Sequence, residues 1–192
     1  MMTEIQVQFR AHIEREVTLT NDEFDFLYTH FTVKKFHKHQ YLVQEGNYVS
    51  HDYYIAQGLA KSSSTDDTGK EHILQFAMGD SWITDLQAFQ HGTKATLDIN
   101  CLEDSIALLI TLENREKLCS DLGKMEKFFR KKTTEESINL QRRILCLISN
   151  NARDRYEDLL QKYPGILQRV SKAMIASYLG VSRETLSRLA LT

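Results

Sequence analysis

The chain has 192 residues, 42% of them hydrophobic and 26% charged, with a formal net charge of −2. This is the composition of a globular protein with room for one large or two small domains, each with a core of its own. No apolar run approaches the roughly 20 residues that cross a bilayer, and the polar start MMTEIQVQFRAHIERE is unlike a secretory signal.

Spacing predicts helices near Ile5–Glu16 and Asn21–Phe31. Thr20, Asn21, Asp22 and Glu23 supply a start signal for the second, with acids in its first turn. Its apolar stripe of Phe24, Leu27, Tyr28 and Phe31 is expected to cover one end of a sheet. From Val33 to about Ile110 the chain breaks into β-prone runs: Val33–Phe36, Tyr41–Val43, Tyr53–Ala56, Leu59–Ser63, His72–Phe76, Thr96–Cys101 and Ser105–Ile110. Gly46, Gly58, Gly69, Gly79 and Gly92 punctuate them as in an antiparallel sandwich or barrel. Asp66–Gly69 has hairpin-loop chemistry. Leu97–Leu102 alternates apolar and polar residues, as a strand with one wet face does.

Thr111–Cys119 begins a helix, and Lys124–Ser149 reads as a long one. Met125, Phe128, Phe129, Leu140, Ile144, Leu147 and Ile148 supply most of its apolar face. A helix this long in a small protein spans two domains or pairs with its symmetry mate. Phe129, Leu140 and Ile144 are the candidate seam of a homodimer. Ala152–Tyr163 is a further helix, stopped before Pro164, and Pro164–Arg169 is a linker.

The last stretch, Lys172–Leu189, reads KAMIASYLGVSRETLSRL and predicts two short helices joined by a tight turn. Ile175, Ala176 and Leu179 are the apolar positions of the first, and small Ala176 allows close approach. Gly180 suits a helix end that needs positive φ. Ser182 stands at an N-cap position. Leu186 and Leu189 turn inward, leaving Arg183, Glu184, Ser187 and Arg188 outward. This is the pattern of a DNA-binding helix-turn-helix, whose second helix puts its N-terminal residues at base edges. Residues 1–124 carry 11 Lys and Arg against 19 Asp and Glu, net −8. Residues 125–192 carry 13 against 7, net +6. A basic third on an acidic body fits a polyanion site confined to that third. Cys101, Cys119 and Cys146 are scattered and odd in number, as buried thiols of a reducing cytoplasm are.

A β-roll, then a long helix, then a helix-turn-helix with SRETLSR resembles the Crp/Fnr family of bacterial transcription regulators. The strongest parts are Gly58, Gly79–Asp80, Ile175–Gly180 and Ser182–Arg188; Phe76–Asp85 and Leu102–Ser105 are most similar to members from Bacteroidetes-type bacteria. The resemblance implies an α+β fold with an N-terminal antiparallel β-roll (jelly roll) and flanking helices over residues 1–123. It further implies a long dimerisation helix over 124–150 and a DNA-binding domain over 151–192. Partners would be double-stranded DNA, a second copy of the chain and an unknown small-molecule effector, without cofactor, metal, catalytic residue or membrane. Arg183, Glu184 and Arg188 would contact bases, with Ser182, Thr185 and Ser187 capping, packing or touching phosphate.

The family's cyclic-nucleotide pocket makes Trp82, Thr84, Asp85, Lys94 and Ala95 the ligand-pocket candidates. Where binders of cyclic nucleotides carry Gly-Glu and Arg-Ser pairs, this chain matches with Thr84–Asp85 and Lys94–Ala95. Lysine is a point charge rather than a bidentate fork, and alanine supplies no hydroxyl, so cAMP binding is expected to be weak or absent. The chain also stops at Thr192, short of the family's longer recognition helix and wing, so the DNA-binding unit is expected to be incomplete. Two other readings stand beside this one. A cupin-like metal site would use His37, His39, Glu45 and His51, but the His39-to-Glu45 spacing is too long for that pattern. The other is an interaction module without DNA activity.

Overall fold

The computed structural model describes residues 2–189. Two helices open the chain, α1 (Glu4–Glu14) and α2 (Asn21–Tyr28), each begun by a threonine capping box. At α2 the Thr20 hydroxyl accepts the Glu23 N–H at 3.2 Å, and the Glu23 carboxylate accepts the Thr20 N–H at 2.8 Å. Two donors that a helix start leaves unpaired are thereby satisfied reciprocally.

Eight strands follow: β1 (Thr32–Phe36), β2 (Tyr41–Val43), β3 (Asp52–Gln57), β4 (Leu59–Thr65), β5 (Glu71–Met78), β6 (Ser81–Ile83), β7 (Asp98–Cys101) and β8 (Ser105–Ile110). They form two four-stranded antiparallel sheets, ordered β1-β8-β3-β6 and β2-β7-β4-β5. A short helix, α3 (Leu86–His91), joins β6 to the run before β7. The sequence predicts neither β6 nor α3. Gly58 turns β3 into β4 at φ +100°, and a Cβ there would lie 2.2 Å from the Ser105 hydroxyl, so only glycine fits.

Strand periodicity explains why the sheets are buried on both faces. On β3, Tyr53 and Ile55 point between the sheets, where they meet Phe36, Ile83, Phe89, Ile99, Ala107 and Leu109. Tyr54 and Ala56 point the other way, onto Phe9, Ile13, Trp82, Phe128 and Phe129. The outer face of the second sheet presents Leu59, Ile73 and Phe76. What covers it is the C-terminal half: α6 (Ala152–Lys162), α7 (Ile166–Arg169), α8 (Lys172–Leu179) and α9 (Arg183–Leu189). α7 occupies part of the stretch that the sequence reads as a plain linker.

Between roll and C-terminal half run α4 (Leu112–Asp121) and α5 (Lys124–Ser149), the latter 26 residues long. At 1.5 Å per residue α5 spans roughly 39 Å. Its first turns are anchored by buried Met125, Phe128 and Phe129, while its last two turns expose Ile144, Leu145 and Ile148. Lys132 is tied to fully buried Asp52 at 2.9 Å and to Glu136 at 3.0 Å, which fixes the rotation of α5 against the first sheet.

Candidate functional site

α8 and α9 cross through Ala176, Leu179 and Leu186, all buried. Gly180 ends α8 in the left-handed region at φ +67°, and the Val181 N–H reaches back to the Ala176 carbonyl at 3.0 Å. That six-to-one bond closes on a carbonyl that the Gly180 N–H also reaches, and it folds the chain back sharply. The Ser182 hydroxyl then accepts the Thr185 N–H at 3.1 Å and starts α9. Ser182, Arg183, Glu184, Ser187 and Arg188 are exposed, Thr185 is half-buried, and Leu186 is the inward anchor. The Glu184 carboxylate lies below its ordinary pKa, held first by its own backbone N–H and then by the Ser182 hydroxyl. An ion pair with Arg188, which the spacing of four allows, is not among the described ones.

α8 is also docked on the roll. The Phe76 and Tyr178 rings stack at 5.3 Å, and Tyr163 meets both edge-on. Burial, with Tyr178 adding to it, pushes the Tyr163 phenol up. Arg169 of α7 grips Glu103 by two bonds, of 2.9 and 2.6 Å, and the Gly58 carbonyl by a third of 3.0 Å. Arg143 of α5 lies 3.7 Å from the Tyr178 ring centre and donates to the Tyr178 carbonyl.

The ligand-pocket candidates scatter. Asp85 is buried and caps α3, accepting the Ala88 N–H at 3.1 Å and both the N–H and hydroxyl of Thr96, at 2.8 and 2.9 Å. Thr96, which the sequence reading passes over as a strand residue, is thus the partner of that carboxylate. The Thr84 hydroxyl donates to the His51 carbonyl at 3.0 Å. Ala95 is buried and Lys94 exposed. Trp82 faces the other way, into the aromatic cluster of α1 and α5, where its indole N–H donates to His12 Nε2 at 2.9 Å. A cavity of about 640 Å³ opens beside Trp82, and Thr84, Asp85, Lys94 and Ala95 do not line it.

The seam candidates divide. Leu140 and Ile144 are 59% and 48% exposed. Phe129 is 2% exposed and packs on Phe128 and Trp82 with the Arg115 guanidinium 4.5 Å above its ring, so it belongs to the core of one protomer and not to an open seam. Periodicity shows which face a residue shares, not which neighbour covers it. Leu145 and Ile148, at 54% and 76%, extend the open apolar stripe instead. His37, His39 and Glu45 are exposed, and the described residues hold no group of His, Cys, Asp or Glu set to bind a metal ion.

Residues 33–121 match the family described as cyclic nucleotide-binding domain. The chain is 22% identical over 186 residues to the cAMP-activated global transcriptional regulator CRP of Haemophilus influenzae, covering 92% of this chain and 83% of that protein. It is 29% identical over 186 residues to the anaerobic regulatory protein of Pasteurella multocida, covering 90% and 67%. The structure of FixK2 from Bradyrhizobium japonicum superposes with a TM-score of 0.73 at 19% identity, covering 84% of this chain and 83% of that one, a likeness of fold.

Proposed function

We propose that the chain is a transcription regulator of the Crp/Fnr type that reads DNA with α9, a reading its similarity to regulators of that family supports. The observation that carries this is the capped, glycine-turned α8–α9 pair, with Arg183, Glu184 and Arg188 exposed on the first turns of its second helix. Arginine donates two bonds to guanine O6 and N7, and glutamate accepts from cytosine N4. Ser182, Thr185 and Ser187 sit where capping, packing or phosphate contact is the available role.

Residues 1–123 act as the sensor unit, 124–150 as the connecting helix and 151–192 as the DNA-binding unit. A homodimer would close over the open stripe of α5, Ile144, Leu145 and Ile148. Cyclic AMP is not the effector. Asp85 is consumed by the α3 cap and Thr96, and the Ala95 side chain offers no donor.

The test is selection of bound DNA from a random pool by the purified protein, followed by titration of the selected site. Enrichment of a two-fold symmetric sequence is the expected result. A pool that stays random would remove the proposal.

A further inference from the structure

The cavity beside Trp82 runs between α1, the β5–β6 turn, α5 and α6. At about 640 Å³ it has the volume of a small-molecule site. Phe76, Trp82 and Phe128 give it aromatic walls. Its charges are arranged unevenly. At the roll end, cations and acids satisfy one another: Arg15 with Asp80 at 2.5 Å, Lys131 with Glu16 at 2.6 Å, and Lys132 with Asp52 and Glu136 at 2.9 and 3.0 Å. At the α6 end stand Arg143 and Lys162, and neither forms an ion pair with a described carboxylate. Arg143 rests on the face of Tyr178, and Lys162 lies 5.4 Å from the Tyr163 ring centre. Burial, then the nearby Arg143 charge, lowers the Lys162 pKa. Arg143 is half-buried and Lys162 exposed, and neither is paired with a described carboxylate, so an anion between them would meet two positive charges.

We infer that this cavity binds a small organic anion with an aromatic body, its charge held by Arg143 and Lys162 and its rings lying against Phe76, Trp82 and Phe128. The site is separate from the Thr84–Asp85 and Lys94–Ala95 positions, which do not line it. It borders the open apolar stripe of α5 at Leu140 but is centred on another face of the helix. Lys132, Glu136, Asn139 and Arg143 recur at spacings of four, three and four, so they share one face of α5. At about 100° per residue, Gln141, Ile144 and Ile148 fall on the opposite face. Arg143 makes the site legible to the DNA-binding half, because the same guanidinium holds the Tyr178 carbonyl of α8. This deepens the effector half of the proposed function and rests on it only for the consequence at DNA.

Trp82 is the chain's single tryptophan, so its emission reports the cavity. The full chain is titrated with anilinonaphthalene sulfonate and with phenylnaphthylamine, its uncharged parent. The sulfonate is expected to quench Trp82 saturably and to bind at least roughly tenfold tighter than the neutral probe. Lys162→Gln and Arg143→Gln should each weaken the sulfonate roughly tenfold while leaving the neutral probe within about twofold, which shows that the cavity survives. Lys162→Gln leaves the Tyr178 contact intact, so it decides the matter if Arg143→Gln loosens α8. Equal affinity for the two probes, or an unchanged sulfonate affinity in both variants, overturns the assignment. A chain that selects no DNA would sink the regulator proposal and leave this binding result standing.

Discussion

The Ser177 hydroxyl of α8 donates to the Glu71 carbonyl of β5 at 2.6 Å and accepts the Ile73 N–H of the same strand at 3.1 Å. β5 is an edge strand, and an open edge leaves backbone donors and acceptors unpaired. One serine therefore takes the place of a neighbouring strand and ties the helix-turn-helix to the roll. Ser177→Ala strands both groups in a partly buried joint, at a cost of about 1–3 kcal/mol. Amide exchange at Ile73 should accelerate while that at Ile99, between the sheets, stays slow. An unchanged Ile73 rate would mean that the joint is held by the aromatic stack alone.

Asp85 shows how a binding position can become a structural one. Asp85→Ala removes the α3 cap and leaves the Thr96 N–H, in a part-buried bond, without its acceptor. Cap loss and an orphaned donor together cost about 2–4 kcal/mol. The expected outcome is a lower melting temperature, with no saturable calorimetric response to cAMP from either form. Saturable micromolar cAMP binding by the unsubstituted chain would refute this.

His12 predicts a pH dependence. Trp82 donates to its Nε2, so that nitrogen carries no proton, and Nδ1–H is left to donate to Asp80 at 2.7 Å. The ring is neutral in the fold. Burial lowers its pKa, and the opposing pull of Asp80 is smaller. A folded pKa below the unfolded one means that the unfolded chain takes up the proton first. Stability is then full above about pH 6.5 and declines as pH falls below it. Burial works against the Asp80 carboxylate, but hydrogen bonds from Tyr54, Arg15 and His12 outweigh it and hold its pKa low. Its own loss therefore comes at a lower pH, beneath about 4. Melts in the upper window should fall for the native chain and stay flatter for His12→Gln, with Trp82 emission shifting in step. Parallel curves for the two proteins would remove His12 as the titrating group.

Long periodic segments were legible in the sequence, and only some of the short ones were. The predicted Lys124–Ser149 helix coincides with α5, and Tyr41–Val43 and Ser105–Ile110 coincide with β2 and β8. β6 has three residues and α7 four, too few for a period to show. The helix-turn-helix was readable because its bend is local chemistry, Gly180 at positive φ followed by a serine cap. Asp85 and Phe129 were misplaced for the opposite reason. What surrounds them, Thr96 in one case and Trp82 with Arg115 in the other, comes from distant parts of the chain. The Arg143–Lys162 cavity was invisible on the same ground, since separate elements build it.

Phe129 and Ile148 separate core from seam on one helix. Ile148→Asp places a charge in the open stripe and should give a monomer by light scattering with little change in melting of the fold. Phe129→Ala empties a core site, at a cost of about 3–5 kcal/mol. It should lower the melting temperature without selectively dissociating the dimer. The reverse pattern would return Phe129 to the interface.

Arg183 and Arg188 decide whether α9 reads sequence or only touches charge. Both are exposed on the helix that follows the Gly180 turn, and neither forms an ion pair with a described carboxylate. The Glu184 carboxylate is held low by its own backbone N–H and the Ser182 hydroxyl first, and the Arg188 charge adds to this. A bidentate contact to guanine is worth about 1–3 kcal/mol of discrimination against the wrong base. Arg183→Ala or Arg188→Ala should lose that much at the selected site and relax the preference at one base pair, leaving affinity for scrambled DNA nearly unchanged. A phosphate contact behaves differently, weakening every sequence alike and lowering the salt slope by about one. Measuring selected and scrambled duplexes across a salt series distinguishes the two. Equal losses on both duplexes with a shallower slope would reassign the residue from reading bases to positioning the helix.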